Sequence, residues 1–267
     1  MFMTRNMQMT KVLVAILTNG KPEKLKRCLE SVNSNLSPHE RIVVINTTDA
    51  DYSSLASQIS FDHGFPVTKT KSNGTPGKGK NSVLRYFLAS DADYLLQIDG
   101  DDYISETCIA RLHEEIENNK FDVACLTKGY ALSPVNRKIA VDDIQSLPKI
   151  IKYAMSWSPD NIQYFLQNKE FVRSKTLDGC SFNRFMLLNR DIAKNYKFNE
   201  EMDVAEDLSY FLRIRKNADV VIHEIAASEQ DFLYMYDLCN DGALMSSMKD
   251  GTMVSNVKMM MDEYENG

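Results

Sequence analysis

Apolar residues come in short runs, separated by stretches with helical spacing. The first run, KVLVAIL (11–17), is rich in valine and ends in a turn-like Thr18-Asn19-Gly20, the pattern of a buried strand. KPEKLKRCLESV then places Leu25, Cys28, Leu29 and Val32 at helical spacing with Pro22 in the first turn, which predicts a helix. RIVVIN (41–46) repeats the strand pattern, and polar TTDAD leads into a short predicted helix over 52–59. PVTKT (66–70) fits a third strand. SNGTPGKGKN (72–81) is expected to be loop, by its glycines and proline. SVLRYFLA continues as helix and DYLLQI as strand. This alternation predicts a parallel sheet covered by helices on both faces.

Further on, TCIARLHEEIEN predicts an amphipathic helix and DVACLTKGYAL a single strand. Residues 145–170 are expected to be helical but irregular around Trp157-Ser158-Pro159. CSFNRFMLLN (180–189) fits a strand, AEDLSYFLRIRK (205–216) a helix and DVVIHEI (219–225) another strand. No repeats, low-complexity tracts or linkers interrupt the chain, so one α/β domain with a more irregular second half is the economical expectation.

Composition narrows the class. With 267 residues, 43% hydrophobic and 25% charged, the chain fits a soluble globular protein. A net charge of −6 and a pI of about 5.3 give no global basic field for nucleic acid or membrane. Five cysteines (Cys28, Cys108, Cys125, Cys180, Cys239) lie far apart without Cys/His pairing, which argues against zinc and against a disulfide framework. A reducing cytoplasm is the expected location (host cytoplasm if viral). MFMTRNMQMT lacks a long apolar core, and no run approaches the roughly 18 apolar residues of a membrane span.

YLLQIDGDDYIS (94–105) changes this bland picture. Leu95, Leu96 and Ile98 call for burial, yet Asp99, Asp101 and Asp102 follow at once, with only Gly100 between the first two. If the chain stays extended past Ile98, Asp99 and Asp101 share a face. They would sit at the carboxyl end of a strand, where ligands of open α/β sheets gather. Gly100 permits a turn or a close approach. Two such carboxylates form a seat for a hard divalent cation. A solvated turn capping the next helix accounts for the same residues, and the motif alone leaves both readings open.

Taken in order, the motifs resemble those of the family 2 glycosyltransferases of GT-A fold. IDGDD is similar to their aspartate-x-aspartate motif, and AILTNGK supplies Thr18 and Asn19 but has Leu17 where proline is usual. VVINTTDAD places Asn46 where the family has an acid that touches the nucleobase, and GTPGKGKN offers Lys80 and Asn81 for an arginine-asparagine step. Glu206 and Asp207 match a glutamate-aspartate pair opening a helix, with Arg213 or Arg215 downstream. FLYMYDLCNDGALMSS (232–247) resembles a tyrosine-x-tyrosine segment, with Asp237 where a basic residue is frequent. The resemblance runs from residue 11 to 247. It implies a single Rossmann-like GT-A domain: an N-terminal extension (1–10), a nucleotide-sugar-binding half (11–128), an irregular acceptor and catalytic half (129–247) and a C-terminal helix or tail (248–267).

The resemblance also implies a metal-dependent, inverting transfer. Aspartates repel the diphosphate of a nucleotide sugar unless Mg²⁺ or Mn²⁺ lies between them, where it also stabilises charge on the departing nucleoside diphosphate. The implied metal ligands are Asp101 first, then Asp99, which is also placed for the ribose, and Asp102 completing the shell. Thr18, Asn19, Asn46, Lys78, Lys80, Asn81, Asp99 and Gly100 are the implied donor-binding residues. Gly74, Gly77 and Gly79 free backbone amides nearby, without a Walker pattern; read alone, this stretch is an exposed loop with solvated lysines. Asp207 is the implied general base, its ionised form favoured at a helix N-terminus. Acids in first helical turns are also common for that dipole reason alone. Trp157 and Glu206 are acceptor-side candidates, with core packing the default for Trp157. His223 reads as a structural, hydrogen-bonded residue, and VKMMMDEY (257–264) as an adaptable packing surface.

The expected donor is a UDP-sugar or similar, and the expected acceptor a glycan or glycolipid precursor. A second acceptor is a hydroxymethylated or already glucosylated DNA base, as in phage-type enzymes, gripped through KTK (69–71), GKGK (77–80) and RSK (173–175). The acidic total stands against it. LTNGKPEKLKR is similar to the early loop of sugar nucleotidyltransferases, but Gly20 alone is too sparse to wrap a triphosphate. A non-catalytic nucleotide-sugar binder is the remaining alternative, motivated by Leu17 and Asn46.

Overall fold

A computed structural model of the chain describes residues 10–70, 74–133, 149–153, 167, 182–237 and 251–266. β1 (Val12–Thr18) is buried along its whole length because apolar side chains cover both of its faces. Its neighbours β2 (Glu40–Ile45) and β4 (Tyr94–Asp99) run parallel to it, and β3 (Val67–Lys69) lies parallel beyond β2. On the other side, β9 (Phe182–Asn189) runs antiparallel between β4 and β6 (Val123–Leu126), and β10 (Ile222–Ile225) lies parallel to β6. The seven-stranded order is β10-β6-β9-β4-β1-β2-β3. The mostly parallel sheet therefore draws strands from both halves of the chain.

Helices cover both faces. α1 (Pro22–Asn33), α2 (Ala50–Asp62) and α4 (Cys108–Asn118) bury Leu25, Leu29, Ala56 and Ile109 against Val14, Ile16, Leu96 and Ile98. α3 (Pro76–Ala89), α5 (Arg190–Asn195) and α6 (Glu206–Lys216) bury Val83, Phe87, Ile192 and Tyr210 against Leu13, Ala15 and Leu95 on the other side. Alternation along β4 sends Leu95 to one core and Leu96 to the other. Each such side chain stabilises the fold by roughly 1.5–3 kcal/mol on burial. A smaller sheet orders β5 (Tyr103–Ile104), β11 (Tyr234–Asp237), β7 (Gly129–Ser133) and β8 (Lys149–Tyr153) as β5-β11-β7-β8. α7 (Thr252–Asn266) lays Met253, Val257, Met260 and Met261 on Leu208 and Leu212 of α6. The methionine stripe is a packing surface.

Several boundaries differ from the sequence expectation. DVACLTKGYAL breaks into β6 and β7, which belong to different sheets. Part of 145–170 is the strand β8, and Trp157 lies outside the described residues. The helix expected over 52–59 starts at Ala50, because the Asp49 carboxylate accepts from the Asp51 and Tyr52 amides. Most of the expected loop 72–81 is the first turns of α3, opened by Pro76. Its glycines are there for closeness. A Cβ at Gly77 would lie 1.9 Å from the Asn199 carbonyl oxygen, and one at Gly79 2.5 Å from Asn46 Nδ2. Cys28, Cys108 and Cys125 are buried, and no helix among the described residues is long and apolar enough to cross a membrane.

Candidate active site

A cleft of about 330 Å³ opens at the carboxyl ends of β1 and β4. That volume suits a small-molecule site. Its walls come from the β1 end (Leu17, Thr18, Asn19), the turn after β4 (Asp99, Gly100, Asp101), the α6 N-terminus (Glu206, Asp207) and β11 (Tyr236, Asp237).

The strand does not stay extended past Asp99. β4 ends at Asp99, and the Asp102 amide donates to the Asp99 carbonyl at 2.9 Å, closing a turn. The Gly100 amide donates to the Leu17 carbonyl at 2.7 Å, and a Cβ there would meet Thr18 Cβ at 3.0 Å and that carbonyl at 3.1 Å. The turn is thus welded to β1, and glycine is required for the contact rather than for a left-handed φ.

The three carboxylates part company in this turn. Asp101, its side chain 32% exposed, lines the cleft 3.1 Å from Lys21 Nζ. Asp99 lies 2.9 Å from Arg184 Nη2 and 3.9 Å from Lys80 Nζ. Asp102, expected to complete a metal shell, is fully buried and does not line the cleft. It accepts from the Tyr234 hydroxyl at 2.5 Å and from the Asp237 amide at 2.9 Å, tying the turn to β11. Burial pushes the Asp102 carboxyl up to about 7, with Arg184 opposing.

Across the cleft, Ala205 adopts a left-handed φ of 64° and starts α6, so Glu206 and Asp207 occupy its first turn. Glu206 Oε1 lies 2.7 Å from Lys80 Nζ, and both side chains are nearly buried. Burial raises the Glu206 pKa, while Lys80 opposes the rise. Burial also pulls the Lys80 pKa down, but Asp99, Glu206 and Asp207 outweigh it and hold the ammonium above its ordinary value. Asp207 Oδ1 accepts from the Leu208 amide at 2.8 Å, and its Oδ2 lies 4.0 Å from Arg184 Nη1. Arg184 thus sits among Asp99, Asp102 and Asp207, stacked 3.9 Å over the Tyr236 ring centroid.

The chain matches the family model described as Glycosyl transferase family 2 over residues 13–194, more than half of its length. It belongs to that family. This glycosyltransferase also shares its fold with solved structures. S. aureus TarS residues 1–349 superposes with a TM-score of 0.57 at 17% identity, covering 96% of this chain and 71% of that one. The same fragment in complex with UDP-GlcNAc gives 0.58 at 15%, covering 95% and 71%. The mannosyltransferase PcManGT from Pyrobaculum calidifontis, in complex with GDP-Man and Mn²⁺, gives 0.57 at 11%, covering 94% and 64%. Such identities establish the GT-A fold alone. No curated protein sequence matches the chain significantly. The family match ends within α5, so Glu206 and Asp207 lie beyond it.

Of the donor-binding expectations for this glycosyltransferase, Thr18, Asn19, Asn46, Asp99 and Gly100 line the cleft, as do Asp101, Glu206 and Asp207. Some are already engaged. The Thr18 hydroxyl meets Tyr52, Asn19 donates to the Gly74 carbonyl at 3.0 Å, and Asn46 accepts from Thr70 while donating to the Thr75 carbonyl, both at 2.9 Å. Lys78, Lys80, Asn81 and Asp102 do not line the cleft. Asn81 instead pins the segment before α6, donating to the Phe198 carbonyl and Glu200 and accepting from the Phe198 amide, each at 2.9 Å. Arg213 donates to the Lys197 carbonyl. His223 meets Glu115 at 2.8 Å and stacks on Phe121, a structural place.

Cleft cations without a motif are Lys21 and Arg184. Arg184 had one signal, a lone charge inside an apolar run, FNRFMLLN. Asp237 is held by Arg27 Nη2 at 2.6 Å and Lys24 Nζ at 3.1 Å, so α1 supplies the cations that β11 lacks. Lys21 stands at the N-cap of α1, and Lys24, itself buried, and Arg27 follow at intervals of three.

Proposed function

We propose that this glycosyltransferase moves a sugar from a nucleotide diphospho-sugar to an acceptor hydroxyl on a glycan or glycolipid precursor, with inversion at the anomeric carbon. The observation that carries the reading is one cleft with an acid turn at the carboxyl end of β4 on one wall and the α6 N-terminus with Asp207 on the other. UDP-sugars are the first donors to test, with UDP-GlcNAc and GDP-mannose as the initial pair. These are the nucleotide sugars named for the TarS and PcManGT structures.

The residues fit a divalent cation. Among the described residues, no three carboxylate, imidazole or thiol groups converge on one point. A hard cation of Mg²⁺ type asks for no such cage: it takes one or two carboxylates and completes its shell with phosphate oxygens and water. Asp101, the accessible acid of the turn, is the proposed first ligand, with Asp99 second. Asp102 is instead the prop that holds the turn. When bound, Mn²⁺ or Mg²⁺ supplies Lewis-acid stabilisation of the leaving diphosphate.

The chain does the rest. Lys21 and Arg184 add positive charge beside the phosphates, and Arg184 keeps Asp99 aimed at the cleft. Asp207, in the first turn of α6, takes the acceptor proton as the hydroxyl attacks. Glu206, locked to Lys80, shapes the wall beside it. The DNA-base acceptor loses support, because Lys80 of GKGK is buried against Glu206. Asp207→Asn should bind donor as the wild type does and lose transfer about 10²–10⁴-fold. Full transfer by that variant would remove the base assignment.

A further inference from the structure

Behind the cleft lies a small cavity of about 10 Å³, bordered by Lys80, Gln97, Asp99, Arg184 and Asp207 and walled in part by Phe198. About 10–15 Å³ is enough for one water, which also needs two to four polar partners. Two buried polar atoms of these residues have no hydrogen-bond partner within the protein: Gln97 Oε1, an acceptor, and Arg184 Nε, a donor. A buried donor or acceptor left without a partner keeps the full penalty of its lost hydration. Gln97 stands two residues before Asp99 on β4, so both side chains leave the same face of a strand buried in the central sheet.

We propose that this chamber is a single-water site, and that through its water Gln97 acts as a positioning residue for Arg184 and, with it, Asp207. The water donates one hydrogen to Gln97 Oε1, accepts from Arg184 Nε–H, and has its second hydrogen for Asp99 or Asp207. The guanidinium is then held at three points: Asp99 at 2.9 Å through Nη2, the Tyr236 ring at 3.9 Å, and the water through Nε. Its Nη1 is the atom 4.0 Å from Asp207 Oδ2, so fixing the guanidinium plane fixes the cationic side of the base. Because β4 is paired on both sides, with β1 and β9, Gln97 gives the base a reference to the sheet that α6 alone does not provide. The positioning role rests on the reading of Asp207 as base; the water site does not.

The test is a pair of high-resolution crystal structures, wild type and Gln97→Met, with kinetics on whichever of UDP-GlcNAc and GDP-mannose is turned over. The wild type should show one ordered water within hydrogen-bond distance of Gln97 Oε1 and Arg184 Nε. In Gln97→Met, which keeps the side-chain length, the water should be gone and the Arg184–Asp99 contact lengthened. The kcat should fall about tenfold, by more than the donor KM rises, the signature of misplacement. A dry wild-type chamber overturns the water site whether or not the variant folds. An unmoved guanidinium or unchanged kcat in Gln97→Met overturns the positioning role. Full activity of Asp207→Asn would sink the base assignment while leaving the crystallographic water where it is.

Discussion

Replacing Lys80 by methionine keeps most of its stem and removes the charge that faces Glu206. The two atoms are 2.7 Å apart, and the residues are 5% and 7% exposed. At an effective dielectric of about 20, their gross attraction is roughly 6 kcal/mol, much of it offset by the desolvation of both groups. Breaking such a pair strands the survivor, which typically costs about 3–5 kcal/mol. Glu206 can escape by taking a proton, and burial already raises its pKa with Lys80 opposing. Without Lys80 that pKa rises further above its unfolded value. Stability is then retained at low pH and lost as pH rises through the folded pKa. Urea denaturation at pH 5 and pH 8 should therefore show Lys80→Met destabilised at both, and more at pH 8. Glu206→Gln in the Lys80→Met background should recover part of the loss. A cost below about 1 kcal/mol, an equal cost at both pH values, or no recovery in the double variant would refute the reasoning.

Gly100→Ala should destabilise by about 1–3 kcal/mol in urea and weaken donor binding, because the new methyl presses on Thr18 Cβ and the Leu17 carbonyl; unchanged stability and binding would contradict the welded turn. Asp102, pushed up to about 7 by burial, contributes stability that is fully present below the unfolded carboxyl pKa and lost as pH rises through 7. Thermal melts should accordingly fall more steeply from pH 5 to pH 8 in the wild type than in Asp102→Asn, and parallel profiles would count against that burial. Met260→Ala on α7 should cost about 2–5 kcal/mol, read as a lower urea midpoint, since Met260 is 1% exposed in the cluster that holds Leu208 and Leu212.

The strand ends were legible because burial stops abruptly there: Ile98 is fully buried, and its neighbour Asp99 faces the cleft. What followed was less so. Asp99, Asp101 and Asp102 are identical in type, and only the distant β11, through the Tyr234 hydroxyl and the Asp237 amide, decides that Asp102 turns inward. Gly77 and Gly79 looked like loop because glycine signals freedom locally, whereas here it makes room for Asn199 and Asn46. Arg184 reaches the site because β9 runs antiparallel, which carries its first residues to the carboxyl end of β4. A run of α/β alternation predicts parallel neighbours and gives no warning of that reversal. Nothing local in the sequence places Asp101 and Asp237 opposite Lys21, Lys24 and Arg27.

The proposed donor site depends on Asp101 meeting a nucleoside diphosphate through a divalent cation. Thermal unfolding of wild type and Asp101→Asn, with UDP or GDP in the presence and absence of Mn²⁺, tests this most directly. A ligand at 100 times its Kd stabilises the folded form by about 2.7 kcal/mol, enough for a clear rise in Tm. One nucleotide should raise the wild-type Tm only when Mn²⁺ is present, and neither should move Asp101→Asn. Equal shifts with and without the metal, or a full metal-dependent shift in Asp101→Asn, would contradict it.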